Sequence, residues 1–197
     1  IDLVAMKAVY FEGDYGEDLR VEDIPSSLAE TAAQKREALV DAAAMFSDEL
    51  TEAALEDAVT EDLLIEALRR GVIQRKITPV FMGSAYKNKG VQLLLDAVTH
   101  FLPCPADIEN QATPMDHPEE TVILSNQADD PLVALAFKLE DGQYGQLTYI
   151  RVYQGALSKG TVAVNARTGK KVKIGRLVRM HANQMEDIET IPAGHIG

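Results

Sequence analysis

The chain has 197 residues, of which 46% are hydrophobic and 25% are charged. These proportions are typical of folded globular domains and exclude a disordered chain or a collagen-like repeat. The single cysteine, Cys104, excludes an internal disulfide and fits a reducing, cytoplasmic compartment. No apolar run reaches about 18 residues, so no membrane-spanning helix is predicted. The length predicts one or two domains, and because the sequence begins at Ile1 we expect a segment of a longer protein.

Two strands and a turn are predicted at the start of the chain. Residues 1–11 and about 18–24 are rich in β-branched and aromatic side chains. Gly13 and Gly16 lie between these stretches and indicate the turn.

Three helices are predicted next. Ser27 and Glu30 have the spacing of a capping box and predict a helix start, and further helices begin near Ser47 and Thr60. Gly71 follows two arginines and predicts the end of the third helix.

A strand, a loop and a helix follow, which is the repeating unit of an α/β domain. The apolar run Ile77–Met82 predicts a buried strand, and residues 90–102 predict a helix that ends before Pro103. The loop of residues 83–90 therefore lies at the carboxyl end of a strand, where open α/β sheets bind ligands. An ordinary glycine-bounded connection is the alternative interpretation.

The last third of the chain is predicted to be a linker and a small β-barrel. Residues 103–131 contain five of the eight prolines, which indicates a domain boundary. Gly142 and Gly145 indicate a turn between strands. The predicted strands cover residues 132–138, 146–153, 161–165, 171–180 and 187–191.

The net charge of −12 comes from the first 72 residues. These contain 18 acidic and 6 basic residues, whereas residues 73–197 contain 13 of each. Residues 138–180 contain nine basic and two acidic residues, which indicates either contact with a phosphate backbone or a solvated strand face. Candidates for the contact are Arg151, Lys173, Arg176 and Arg179.

Other chemistry has little support in the sequence. The four histidines lack ligand spacing, so no metal site is predicted. The adjacent carboxylates Glu119 and Glu120 point to opposite sides of an extended chain, which argues against an acid/base pair. No Gly-x-x-x-x-Gly-Lys-Ser/Thr loop is present to hold a triphosphate.

Several segments together resemble bacterial elongation factor G, a family of translational GTPases. Residues 80–92 (VFMGSAYKNKGVQ), 94–98 (LLDAV) and 102–105 (LPCP) resemble its fifth guanine-nucleotide motif and the helix that follows. Residues 1–4 (IDLV) and 6–8 (MKA) resemble the insert between its fourth and fifth motifs. Residues 137–138 (FK), 145–155 (GQLTYIRVYQG) and 175–183 (GRLVRMHAN) resemble its second domain.

The resemblance implies an α/β plus β architecture. Residues 1–76 would be an α+β insert of a P-loop GTPase domain, and residues 77–112 the C-terminal strand, loop and helix of that domain with the start of a linker. Residues 113–197 would be the rest of the linker and an incomplete antiparallel β-barrel.

The resemblance also implies a site for the guanine base and the partners of the whole protein. The amide of Ala85 would face the O6 atom, Ser84 would steady an aspartate that reads the base, and Tyr86 and Lys87 would flank the base or close the loop. The cofactor-binding residues would be Gly83, Ser84, Ala85, Tyr86 and Lys87. The full-length protein would use GTP or GDP with Mg²⁺ and would act as a monomer on ribosomal RNA and ribosomal proteins, without membrane or DNA.

The function implied is promotion of tRNA and mRNA movement through the ribosome. Because the phosphate loop, both switches and the Asn-Lys-x-Asp motif are absent here, this segment alone is predicted to be inactive and not to bind nucleotide tightly. A release or ribosome-protection factor of the same class is one alternative. A nucleotide-independent module that binds RNA or protein is the other.

Overall fold

A computed structural model of the chain describes residues 1–142 and 145–197. The described residues form two compact units, Ile1–Leu102 and Pro103–Gly197. We call these the first unit and the second unit. None of the described helices is long and apolar enough to cross a bilayer.

The first unit contains a hairpin and four helices. Strands β1 and β2 pair in antiparallel register from Ala8 opposite Glu22 to Glu12 opposite Asp18. The elements are β1 (Ala8–Glu12), β2 (Asp18–Glu22), α1 (Ser26–Ala44), α2 (Asp48–Leu55), α3 (Glu61–Ile73) and α4 (Val91–Phe101).

The core of the first unit lies among its four helices. Leu50, Leu64 and Ala67 are completely buried there, and Phe101 of α4 is 7% exposed. Arg36 of α1 ties the start of the chain to this core, because its Nη1 donates to the carbonyl oxygens of Leu3 at 2.7 Å and Val4 at 2.8 Å. Burial lowers the pKa of Arg36.

The predicted starts of α2 and α3 are confirmed, whereas the capping box predicted for α1 is wrong although the helix begins within two residues of the predicted place. Ser47 accepts a hydrogen bond from the amide of Leu50 at 3.2 Å, and Thr60 accepts one from the amide of Leu63 at 3.3 Å. In α1 the N-cap is Pro25, and no side chain caps the helix. Ser27 therefore lies inside the first turn, so its spacing to the glutamate that follows forms no capping box.

Gly71 does not end α3, which continues to Ile73. The glycine is buried because two apolar side chains approach it. A Cβ atom there would lie 2.6 Å from Cδ1 of Ile77 and 3.0 Å from Cδ2 of Phe46. Close packing therefore explains the glycine that the sequence interpreted as a stop signal.

The predicted buried strand at Ile77–Met82 is also wrong. These residues form no strand, and the side chains of Val80 and Met82 are 83% and 90% exposed. A strand needs a neighbouring strand to pair with its backbone N–H and C=O groups, and no described residue pairs with this segment. The helix predicted after it is confirmed as α4.

The second unit consists of antiparallel strand pairs, as predicted. A short 3₁₀ helix at Pro105–Asp107 precedes them. The strands are β3 (Asn110–Ala112), β4 (Val122–Leu124), β5 (Val133–Gly142), β6 (Gly145–Gln154), β7 (Ala156–Ser158), β8 (Val162–Val164), β9 (Lys171–Lys173), β10 (Leu177–His181), β11 (Gln184–Ile188) and β12 (Thr190–Pro192).

The strands pair as β3 with β4, β5 with β6, β7 with β12, β8 with β9 and β10 with β11. Across the part of the chain that is described, these ladders are two-stranded and do not close into a barrel. The core of this unit is formed by Val152, Leu157, Leu177 and Ile191.

Four details of the strand prediction are wrong. The supposed linker contains the hairpin of β3 and β4, and β7 was not predicted. The strand predicted over residues 171–180 is divided into β9, which pairs with β8, and β10, which pairs with β11. The strand predicted over residues 187–191 falls across the end of β11 and the start of β12. The two central residues of the predicted turn between Gly142 and Gly145 lie outside the described residues.

Candidate functional site: the Gly83–Gly90 loop

The Gly83–Gly90 loop is closed by a pair of backbone hydrogen bonds between Ser84 and Lys89. The amide of Ser84 donates to the carbonyl of Lys89 at 2.8 Å, and the reverse bond is 3.0 Å long. Inside this closure, the amide of Lys87 donates to the carbonyl of Ser84 at 3.2 Å and that of Asn88 to the carbonyl of Ala85 at 3.1 Å. Residues 84–89 therefore form a small loop with defined backbone positions.

Glycine is required at both ends of this loop. A Cβ atom on Gly83 would lie 2.4 Å from the carbonyl oxygen of Lys89, and one on Gly90 would lie 2.8 Å from the carbonyl oxygen of Met82. Gly90 also has φ of +80°, which is unfavourable for residues with a Cβ atom. The two glycines allow the backbone before the loop to contact the backbone after it. Gly90 is also the N-cap of α4.

The loop exposes large side chains and the backbone amides of Ala85 and Tyr86, which are unpaired in the part of the chain that the structure describes. Within the described residues, the amide of Ala85 donates no hydrogen bond. Tyr86 is 99% exposed and Lys87 is exposed, whereas Ser84 is half-buried and its Oγ lies 3.4 Å from the amide of Lys87. A free N–H beside a methyl side chain is suited to a flat ligand that carries a carbonyl acceptor.

The five residues that the sequence singled out, Gly83 to Lys87, thus lie in one turn. Their roles toward a nucleotide stay predictions. Sequence reasoning missed the backbone contact between Gly16 and this loop and the hydrogen bond that Gln92 donates to Gly16. No local signal marks them, because they are 76 positions apart in the chain.

A second group of residues has the composition of a metal site. His117, Glu119 and Glu120 place ligand atoms within 4.8 Å of one another, and all three are exposed. The amide of Glu120 donates to the carbonyl of His117 at 3.0 Å, which closes a turn around Pro118. The sequence prediction compared the histidines only with one another and so missed this grouping. Exposed acidic groups of this kind are common without a metal ion.

The basic residues of the second unit differ in their partners. Arg176 donates twice to the carboxylate of Asp187, at 2.6 and 3.0 Å, and Arg179 lies 4.0 Å from Glu186. The hydrogen bond from Arg176 lowers the pKa of Asp187. The guanidinium of Arg151 stacks on the ring of Tyr153 at 4.7 Å.

Lys171 and Lys173 differ from these arginines. They flank Val172 in β9 and therefore share one face of the strand. Neither lysine forms an ion pair within the described residues. Within the described residues, Lys171 and Lys173 of the predicted basic surface thus lack an acidic partner, as do Arg151, Arg167 and Lys170.

Comparisons with known proteins match one family model to part of the chain and relatives to all of it. Residues 145–197 match the family Elongation factor Tu domain 2. Elongation factor G 1 of Syntrophus aciditrophicus is 64% identical over 198 aligned residues, and Elongation factor G 1 of Treponema pallidum is 54% identical over 196. Each alignment covers 100% of this chain and 28% of the relative.

A solved structure from Thermus thermophilus has the same fold, with a TM-score of 0.73 at 24% sequence identity. The similarity covers 100% of this chain and 26% of that protein.

These matches define the chain as part of a translation elongation factor. The relatives that align with all of this chain are named elongation factor G, and the chain therefore belongs to the elongation factor G family. The chain spans 28% of the length of these relatives.

Proposed function

We propose that this chain is a segment of a translational GTPase that promotes the movement of tRNA and mRNA through the ribosome. The proposal is supported by identities of 54–64% to elongation factor G proteins along the whole chain. Residues 1–76 are then the insert of the GTPase domain, residues 77–112 its C-terminal end with the start of a linker, and residues 113–197 the rest of the linker and part of a second, barrel-like domain. The complete protein hydrolyses GTP with Mg²⁺ and works in the cytoplasm as a monomer.

In this proposal the Gly83–Gly90 loop recognises the guanine base. The observation that carries this role is the unpaired amide of Ala85 in a loop of fixed backbone geometry. The guanine O6 atom accepts a hydrogen bond, whereas adenine places an amino group at the same position. A donor facing a donor would leave both unsatisfied, so the loop favours guanine over adenine.

The side chains around this amide have supporting roles. Ser84 holds the turn from its half-buried position, and Gly83 lets the chain close behind it. Tyr86 and Lys87 are exposed beside the amide and flank the base. The phosphates and Mg²⁺ are held by groups outside this segment, which is why the isolated chain should not bind GTP measurably.

The amide of Ala85 is tested by the substitution Ala85→Pro in the complete factor. Ala85 is the second residue of the turn from Ser84 to Lys87, where proline is well tolerated. The substitution removes the N–H group and should weaken GDP binding about 5- to 150-fold, the equivalent of about 1 to 3 kcal/mol for an unpaired buried acceptor. Ala85→Ser keeps the N–H group and should bind GDP like the wild type.

The result also separates the competing functions. Equal GDP affinity of the Ala85→Pro and Ala85→Ser variants, measured by calorimetry, would show that the loop does not read the base. Failure of the unsubstituted complete factor to bind GDP would favour a nucleotide-independent module that binds RNA or protein.

A further inference from the structure

We infer that Gly16 and Gln92 are positioning residues for the Gly83–Gly90 loop, so that the turn between β1 and β2 sets how well the loop recognises a 6-oxopurine base. The inference rests on the proposed function of the loop. It starts from a contact inside the first unit that links the acidic N-terminal part of the chain to the candidate site.

The backbone of Gly16 lies directly against the backbone of the loop. A Cβ atom at Gly16 would be 2.7 Å from the carbonyl oxygen of Asn88 and 3.0 Å from that of Lys87. Cβ atoms in proteins essentially never approach other atoms within 3.0 Å. Any side chain at this position must therefore push the loop away or move the turn.

Gln92 also holds the turn in this position. It lies in the first turn of α4, and its Nε2 donates to the carbonyl oxygen of Gly16 at 3.1 Å. The Oε1 of the same side chain is buried without a hydrogen-bond partner among the described residues. An unsatisfied buried acceptor costs free energy, so the side chain is held there by the bond that its amide group makes with the turn.

A movement of Asn88 would be transmitted to Ala85. Asn88 has φ of +49°, a left-handed conformation that is uncommon for a residue with a Cβ atom. Its amide donates to the carbonyl of Ala85 at 3.1 Å. The path from Gly16 through Asn88 to Ala85 thus connects the turn to the donor that is proposed to face the base.

Gly16→Ala tests the contact, and Gly13→Ala is its matched control. Both glycines lie in the same turn with positive φ, +64° and +81°, so alanine meets the same kind of backbone strain at each. At Gly13, however, the three atoms nearest to a Cβ atom would all belong to the carboxyl group of Glu17, the far end of a flexible side chain that accepts a hydrogen bond from the amide of Tyr15 in the same turn. The two variants differ in whether the new methyl group meets the loop.

Hydrogen exchange of the chain itself gives the first readout. The amides of Lys87, Asn88 and Lys89 should exchange about 5- to 10-fold faster in Gly16→Ala than in Gly13→Ala, because the hydrogen bonds within the loop open more often. Gln92→Leu removes the bond to Gly16 and should accelerate the same amides. Equal exchange at these amides in all of these variants and the wild type would overturn the inference.

Nucleotide binding by the complete factor gives the second readout, with GDP and 6-thio-GDP as probes. Sulfur at position 6 is a weak hydrogen-bond acceptor, so binding of the thio analogue depends less on the loop amide. Gly16→Ala should weaken GDP binding about 3- to 10-fold and 6-thio-GDP binding by less than about twofold, while Gly13→Ala changes neither.

Equal losses for the two nucleotides would show that Gly16 has a structural role only and would overturn the inference. If the unsubstituted complete factor binds neither nucleotide, the proposed function itself fails. The role of Gly16 in base recognition fails with it.

Discussion

Lys171 and Lys173 provide a direct test of whether the second unit contacts ribosomal RNA. They lie about 6.6 Å apart along one face of β9, and neither has an acidic partner within the described residues. Each phosphate contact releases counterions and contributes roughly 0.7 to 0.9 to the slope of log affinity against log salt concentration. The double variant Lys171→Gln/Lys173→Gln should therefore flatten this slope by about 1.4 to 1.8 if both lysines touch phosphates.

The double variant Arg176→Gln/Arg179→Gln is the control for net charge. It also removes two positive charges, but Arg176 already forms an ion pair with Asp187 and Arg179 lies near Glu186. Its slope should change by less than about one contact's share, roughly 0.7. The assay measures ribosome binding of the complete factor between low and moderate salt, with circular dichroism to check the fold. Equal slopes for the two double variants would refute the argument, and an unchanged slope for the lysine variant would mean that β9 is only a solvated strand face.

Three further predictions concern stability and titration. Leu64→Ala should destabilise the first unit by about 3 to 5 kcal/mol in chemical denaturation, because it opens a cavity in a fully buried core, and a loss below about 1 kcal/mol would show that the site collapses around the smaller side chain. Arg36→Met should cost about 1 to 3 kcal/mol by removing two hydrogen bonds to backbone carbonyls, while Arg36→Lys should restore part of it, and equal stability of both variants would exclude that cause. Asp187 should titrate below its usual pKa of 3.8 in carboxyl-carbon NMR. Since its pKa is lowered in the folded state, its stabilising contribution is present above the unfolded pKa and is lost as the pH falls through the folded value. Arg176→Gln should return this pKa to the usual value, and a midpoint that does not move would contradict the cause.

The helices show which parts of the fold local sequence determines. The caps of α2 and α3 could be predicted because the hydroxyls of Ser47 and Thr60 accept hydrogen bonds from amides only three residues away. Gly71 was misinterpreted because its neighbours Phe46 and Ile77 come from outside the helix. A glycine that ends a helix and a glycine that admits a side chain look the same in the sequence, and only packing distinguishes them.

The candidate site was predictable to a similar extent. Gly83 and Gly90 indicated a glycine-bounded loop before a helix, and the resemblance to a family suggested its ligand. The contact of Gly16 with the loop was not predictable, because no local pattern encodes a contact between residues more than 70 positions apart. The apolar segment before the loop was assigned to a strand on composition alone, although ladder hydrogen bonds depend on neighbours that composition does not supply.

The basic residues of the second unit show why charge counted along a sequence overstates charge on a surface. No acidic residue occurs between Asp141 and Glu186, so the stretch looks uniformly basic. The hairpin of β10 and β11, however, places Glu186 directly opposite Arg179, and Asp187 reaches Arg176. Antiparallel pairing thus brings the next acidic residues back onto the preceding basic ones. The partner of β9 is β8, whose residues Val162 to Val164 are all uncharged, so the lysines of β9 keep a free charge. The neighbouring strand, more than the number of basic residues, therefore decides which of them are available to a phosphate.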